Sequence, residues 1–295
     1  MSDSDKLQRF MFDHCDIRGE IITLEQSYQA VLQINQYPQA VQHLLGEFLA
    51  AAGLLSATLK FDGVITLQAR GDGPLKLIVA DCTRHHNLRA VAELDEESYP
   101  EFDFDSDHSL RELVGNGQLA ITIDPSRGER YQGIVPLEQP TLAGCLEHYF
   151  RQSEQLPTRL WLSADSHRAG GLFLQALPRQ TASDEQNEEQ WQHLTQLAET
   201  ISPQEQLQLA HQNQLYRLFH QDNVRLFDAT DLQFACSCSQ QRTAQMLMKM
   251  GRDELQSILA EQGRIDVNCH FCNQQYRFDA SDINQLYSGE PPTLH

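Results

Sequence analysis

The chain has 295 residues, 40% of them hydrophobic, with 22 Lys and Arg against 41 Asp and Glu, a formal charge of −19. That length accommodates one large domain plus a smaller one with a sizeable core, and an acid excess spread through the chain excludes the Lys/Arg stripe that a nucleic-acid partner demands. The longest apolar region, Leu44 to Leu59, is broken by Glu47 and Gly53 and too short to span a bilayer; with no secretory pattern in the first ten residues, the expectation is a cytoplasmic protein with no membrane partner.

Taken in order, residues 1–178 read as one mixed α/β domain. Leu7–Phe12 and Ile17–Leu24 are strand-like, and Ser27–Ile34 and Pro38–Leu59 carry helical spacing. The second of these helices is the expected core, with Val41, Leu44, Leu45, Phe48, Leu49, Ala52, Leu55 and Leu59 recurring at three and four. Residues 60–82 alternate as a hairpin about Gly71-Asp72-Gly73-Pro74, a turn that lacks the Lys-Ser/Thr ending and following helix of a phosphate loop. The acidic stretch 93–107 lacks the sixth-position Gly and twelfth-position Glu of a calcium loop begun at Asp103, so it is expected to be a solvated loop. Strands are expected over Ala120–Asp124 and Tyr131–Leu137 and a helix over Leu142–Phe150, with Leu160–Ser163 and Gly170–Leu177 closing the sheet. His85-His86 lacks the spacing of a metalloprotease helix and no Gly-x-Ser-x-Gly elbow occurs, so no catalytic constellation and no enzyme are expected. Cys15, Cys82 and Cys145 are isolated and expected as buried thiols.

Composition changes near Pro178. Residues 179–230 are rich in Gln and Glu and carry an apolar stripe at helical spacing: Trp191, Leu194, Leu197, Leu207, Leu215, Leu218 and Phe219. Ser202-Pro203-Gln204-Glu205 is a capping box with Pro at the first turn. Residues 179–230 are therefore expected to be a helical linker ordered by neighbours rather than by its own propensity.

In the last segment, 231–295, Cys236 and Cys238 form C-x-C and Cys269 and Cys272 form C-x-x-C. Two close thiolate pairs supply the four tetrahedral ligands of a closed zinc site, which leaves no position for water and is therefore structural or redox-responsive rather than hydrolytic. His270 is an alternative ligand to one of the sulfurs. Ser239 is expected to cap a helix that runs through Met246 to Met250 and is ended by Gly251, and Asp253 a second helix through Leu255, Ile258 and Leu259 to Gly263. Ile265, Val267 and Cys269 then alternate into a turn, His270-Phe271, and resume at Tyr276-Arg277-Phe278, which puts C-x-x-C at the knuckle of a hairpin. A disulfide across C-x-C closes a small strained ring, the labile kind, and so hints at redox switching.

The segments FACSCSQQR (234–242), VNCHFCNQQYRF (267–278), SEQLPT (153–158), LLGEFLAAAGLLSATLKFDG (44–63), QARGDGPLK (68–76) and YQGIVPLE (131–138) together resemble the heat shock protein 33 family of redox-regulated holdase chaperones over the whole chain. The fold class expected is α+β: a mixed α/β N-terminal domain for client binding and dimerisation (1–178), a helical linker (179–230) and a small C-terminal four-cysteine zinc module acting as a redox switch (231–295). The resemblance implies an ATP-independent chaperone, inactive when reduced and holding one Zn2+ on Cys236, Cys238, Cys269 and Cys272. Oxidation to Cys236–Cys238 and Cys269–Cys272 disulfides then expels the zinc, the linker unfolds, and the activated form dimerises and holds unfolding proteins. The linker stripe supplies the client-binding candidates Trp191, Leu194, Leu197, Leu207, Leu215, Leu218 and Phe219. Two other readings stand beside it: a binding or adaptor protein with constitutive zinc, and a thiol-disulfide oxidoreductase with C-x-x-C at a helix start.

Overall fold

Period-two and period-3.6 apolar patterns account for nearly every element. The structure, a computed structural model, describes residues 3–58, 62–178 and 183–288; Leu59 of the expected core helix and residues 179–182 at the expected linker start lie outside the described residues. The chain divides into two compact units, through Ala235 and from Cys236.

The first unit opens with β1 (Lys6–Phe12), β2 (Ile17–Leu24), α1 (Gln26–Leu32) and α2 (Gln39–Ser56). β3 (Gly63–Gly71), β4 (Leu75–Thr83) and β5 (Asn87–Leu94) form an antiparallel meander, followed by α3 (Leu110–Val114), β6 (Gly117–Pro125), β7 (Tyr131–Pro136) and α4 (Leu142–Tyr149). A π-helical turn, Phe150–Glu154, leads to the hairpin of β8 (Thr158–Ala164) and β9 (Ala169–Ala176). Three helices come next, α5 (Asp184–Ala198), α6 (Pro203–Gln208) and α7 (His211–Phe219), then three short strands, β10 (Val224–Leu226), β11 (Thr230–Asp231) and β12 (Gln233–Phe234).

Two sheets result, where the sequence suggested one. The first has the order β10-β1-β2-β9-β8, with β11 also on β1; the second has the order β12-β5-β4-β3-β6-β7. The hairpin β8–β9 pairs with β2 rather than closing the sheet of β3–β7, because local alternation specifies a strand without specifying its partner. The expected helical linker also needs correction beyond Phe219, where Val224–Leu226 and Thr230–Asp231 pair antiparallel with β1. The acidic stretch 93–107 is not wholly solvated: Phe102 and Phe104 meet edge to face, 4.7 Å between ring centres, and pack against the main core, and the Phe104 carbonyl accepts the Ala40 N–H at 3.1 Å.

Helix α2 lies between the two sheets, packing on β2, β8 and β9 on one side and on β3, β4 and β5 on the other. That position explains a helix apolar almost all round, with Val41, Leu45, Phe48, Leu49 and Leu54 fully buried. A Cβ at Gly46 would stand 2.5 Å from the Ala164 Cβ, so glycine there sets how closely α2 approaches β8.

The first sheet is apolar on both faces. Ile22, Leu24 and Phe173 point into the α2 core, while Phe10, Phe12, Ile17, Ile21, Leu172 and Leu174 point outward. The outward set is covered by Leu194 and Ala198 of α5 and Leu215, Leu218 and Phe219 of α7, with Trp191 and Leu197 half-buried at its margin. Phe12 meets Phe219 edge-on at 5.2 Å and Phe10 at 5.7 Å. Leu207 of α6 is buried, and α6 packs on β8 and β9. The Ser202 cap forms as expected: its hydroxyl accepts the Glu205 N–H, and Glu205 accepts the Ser202 N–H at 2.9 Å.

At the start of α7, His211 is wholly buried. Its Nε2 lies 3.0 Å from Thr23 Oγ1 and its Nδ1 lies 3.3 Å from Gln8 Oε1, and its N–H donates to Asp3 Oδ2 at 2.7 Å. Burial pushes its pKa down from 6.5 to about 4, with Asp3 opposing that shift and Lys6 reinforcing it. A depressed histidine pKa means that the unfolded state binds the proton more readily. Stability is therefore full above pH 6.5 and is lost as pH falls toward 4, by about 1.4 kcal/mol per pH unit. Urea unfolding at pH 7 and pH 5 should show this loss in the native chain, and His211→Gln, which keeps a donor and an acceptor, should show a smaller one; equal losses would contradict this role for His211.

Candidate metal centre in the C-terminal unit

The second unit is small. It contains α8 (Gln240–Met248), α9 (Arg252–Gln262), the antiparallel pair β13 (Ile265–Asn268) and β14 (Gln275–Phe278), and α10 (Ala280–Ser288). Its buried apolar core consists of Ala244, Leu247, Leu255, Ile265, Phe278 and Ile283. A core of that extent is marginal for independent stability, the situation in which small domains recruit a metal or disulfides.

Local chemistry brings the cysteines to one end of this unit. Ser239 caps α8 as expected, accepting the Arg242 N–H at 3.2 Å, and Arg242 Nη1 donates to the Ser237 carbonyl at 2.7 Å, which fixes the C-x-C turn. The expected boundaries between the helices shift. Gly251, with φ of 96°, is the N-cap of α9 rather than the end of α8, and Asp253 sits in the first turn of α9 beside its positive dipole end instead of capping it. Gly263 closes α9 in the left-handed conformation, φ 78°. At the knuckle of β13–β14 the Cys269 N–H donates to the Gln274 carbonyl at 2.9 Å and the Asn273 N–H to the Cys269 carbonyl at 2.8 Å, with Asn273 left-handed. C-x-x-C therefore lies in a hairpin turn, not at the helix start that a thioredoxin-type oxidoreductase requires.

The four sulfurs of Cys236, Cys238, Cys269 and Cys272 all lie within 4.8 Å of one another, with Cys236–Cys269 at 3.7 Å and Cys238–Cys272 at 3.3 Å. Four sulfurs around zinc at 2.3 Å stand about 3.8 Å apart, so this donor set fits a closed tetrahedral site. His270, considered as a substitute ligand, is exposed and is not in the cluster. Tyr276, read from the sequence only as a strand residue, donates its hydroxyl to Cys238 Sγ at 3.1 Å, and that bond pushes its own pKa up to about 12. Alternation along β14 places Tyr276 opposite Val267, which is the signal that could have found it.

Burial raises the pKa of Cys269, and burial together with the neighbouring thiols raises that of Cys272. Four thiols this close ionise together only around a cation, which reverses the sign of the local field. Cys15, Cys82 and Cys145 are buried free thiols, as expected, and burial pushes Cys15 to about 11, Cys82 to about 12 and Cys145 upward. They remain protonated and weakly nucleophilic at neutral pH. Among the described residues, no helix is long and apolar enough to cross a membrane.

A family model described as Hsp33 protein matches residues 5–279. The 33 kDa chaperonin of Ectopseudomonas mendocina is 51% identical over 288 residues, covering 97% of this chain and 96% of its own, and that of Pseudomonas aeruginosa is 48% identical over 291 residues, covering 98% and 96%. The crystal structure of the 33 kDa chaperonin (heat shock protein 33 homolog) from Thermotoga maritima has the same fold, with a TM-score of 0.79 at 22% identity over 96% of this chain and 98% of that one. A whole-chain match, close relatives of nearly equal length and a shared fold converge: this chain belongs to the Hsp33 family.

Proposed function

We propose that this chain is a redox-regulated, ATP-independent holdase that keeps unfolding proteins from aggregating. One observation carries the reading: among the described residues, the outward apolar face of the first sheet is covered mainly by α5 and α7, with Ile201, Val224 and Leu226 half-buried beside them, and the chain that leaves this cover enters the cysteine cluster at Cys236, two residues after β12. In the resting state Cys236, Cys238, Cys269 and Cys272 would hold one Zn2+ in a closed four-sulfur shell, and the ion would tie the two halves of the module together. Such binding contributes about 10–16 kcal/mol of apparent folding free energy, comparable with the whole gross burial term of the small core of the second unit.

Oxidation removes the ligands. Each pair of thiolates gives up two electrons to one peroxide, and two protons taken from solvent complete the two waters formed alongside one disulfide. The family resemblance implies the pairs Cys236–Cys238 and Cys269–Cys272, and the consequence of that pairing is physical. Pairing within each half leaves the halves free to separate, whereas bridging Cys236 to Cys269 would staple them together and preserve the module. The nearest sulfurs in the thiol state belong to opposite halves, and all four are close enough for either pairing, so release follows from which bond forms.

Unfolding then propagates into the linker, residues 179–230. β12 and β11 have two paired residues each and β10 three, too few to persist once the chain beyond them is disordered. Their loss frees α7 and α5, whose Gln- and Glu-rich sequences have little helical stability of their own. Trp191, Leu194, Leu197, Leu207, Leu215, Leu218 and Phe219 become exposed together with Phe10, Phe12 and Leu172, a large apolar surface that takes up unfolded chains. Residues 1–178 carry client binding and dimerisation, and residues 231–295 the switch. A charge of −19 keeps the assembly soluble in the cytoplasm and disfavours nucleic acid.

Reduced protein should not suppress the light scattering of a heat-unfolded client, and peroxide at elevated temperature should release zinc and produce suppression in parallel, both reversed by reductant plus zinc. Retained zinc, or equal protection in both states, would instead favour a constitutive zinc-stabilised adaptor. A buried carboxylate at the linker face offers a second check. Leu215→Asp should cost the docked linker about 3 kcal/mol and confer client protection on reduced, zinc-loaded protein; a loosened linker without client protection would remove the linker face from the account.

A further inference from the structure

Tyr276 carries a hydroxyl that packing does not require. On the inward face of the β13–β14 hairpin the pair Ile265 and Phe278 is buried in the core of the second unit, and the next pair toward the knuckle, Val267 and Tyr276, covers that core half-buried. Phenylalanine would fill that position as well as tyrosine does. The hydroxyl extends past the core and donates to Cys238 Sγ at 3.1 Å.

That bond crosses the module. Tyr276 belongs to the hairpin whose knuckle carries Cys269 and Cys272, whereas Cys238 belongs to the turn that precedes α8. The backbone on either side of Cys238 is fastened from its own half, by Arg242 Nη1 on the Ser237 carbonyl at 2.7 Å and by the Ser239 cap on the Arg242 N–H. Its sulfur therefore stands between two groups of the opposite half, the Tyr276 hydroxyl and Cys272 Sγ at 3.3 Å. A tyrosine side chain has only two torsions, and packing of the ring against the core fixes where its hydroxyl ends.

Charge decides when this bond is strong. A neutral thiol is a weak acceptor and a disulfide sulfur carries no charge to improve on that, whereas a thiolate accepts a charge-assisted bond. Four thiolates around one divalent zinc carry surplus negative charge, in a chain whose formal charge is already −19. An O–H dipole aimed at Cys238 offsets part of that surplus without occupying a ligand position, as outer partners of metal ligands do. Once the Cys238 sulfur enters a disulfide, the hydroxyl has little left to hold. The bond thus favours the closed module and contributes nothing comparable to the opened one.

We propose that Tyr276 is a positioning residue of the metal centre: its hydroxyl holds the Cys238 sulfur in the ligand arrangement, tightens zinc and slows its release when an oxidant arrives. The proposal rests on the four cysteines holding zinc, as the proposed function has it, and not on release of the linker or on client binding.

The experiment uses the full chain, reduced, with zinc affinity read by competition against a chromophoric chelator and the sulfur-to-metal charge-transfer bands read after loading with Co2+. Tyr276→Phe keeps the ring; it should weaken zinc about tenfold or more and move the bands to lower energy, because a thiolate without its donor gives up an electron more readily. Replacing Tyr276 by 3-fluorotyrosine, a stronger donor on the same ring, should move both readouts the opposite way, a gain that misfolding does not mimic. Tyr287→Phe removes another hydroxyl of this unit, one that donates to the Met248 carbonyl at 3.4 Å, and should leave both readouts unchanged. Affinities and band energies equal to those of the wild type in both Tyr276 variants would overturn the proposal. Weaker zinc with unmoved bands would overturn it as well, by reducing Tyr276 to a packing residue. A wild-type chain that takes up no zinc would overturn the metal reading and this proposal together, so the two failures are told apart by the wild type alone.

Discussion

The constraint on which the rest depends is a sheet with two apolar faces. β1, β2 and β9 bury Ile22, Leu24 and Phe173 against α2 on one side and present Phe10, Phe12, Ile21, Leu172 and Leu174 on the other. The inner cover is secure, because α2 is apolar almost all round and lies between two sheets. The outer cover is amphipathic, Gln-rich and fastened by strands two or three residues long. A globular protein with no further purpose for that face would cover it with something that folds well alone. Here the cover has little helical stability of its own, a property that suits the proposed holdase.

The C-terminal unit complements that weakness. Its core is small, and its most concentrated source of order is the four-sulfur cluster. Chemistry separates these thiols from the other three. Cys15, Cys82 and Cys145 are buried among apolar neighbours and shifted upward, so they stay protonated and inert. The clustered four are partly exposed, which leaves them open to an oxidant. The proposed switch uses this difference, because an oxidant would reach the clustered set and spare the buried one.

Much of this was legible in the sequence, and for physical reasons. The C-x-C and C-x-x-C spacings, the Ser202–Glu205 capping box, the apolar periodicity of α2 and the stripe from Trp191 to Phe219 are all local signals, and local signals survive in one dimension. What was lost is non-local. Nothing in Leu160–Ser163 or Gly170–Leu177 says that these strands join β2 instead of the sheet of β3–β7, because a strand's alternation fixes its faces and not its neighbour. Val224–Leu226 and Thr230–Asp231 are too short to announce themselves, and they are strands only because β1 offers an open edge. Tyr276 was read as a strand residue, and its hydroxyl reaches Cys238 only once the hairpin has folded.

The central claim is that order in the linker depends on order in the cysteine module. The most direct test removes zinc without oxidation, by a strong chelator in the presence of reductant, and follows hydrogen exchange along the whole chain. The account predicts that protection is lost over residues 236–288 and over residues 184–234, while β3–β4 stay protected at residues 63–83. Protection that persists over 184–234 after the module has opened would contradict the coupling, and with it the switch.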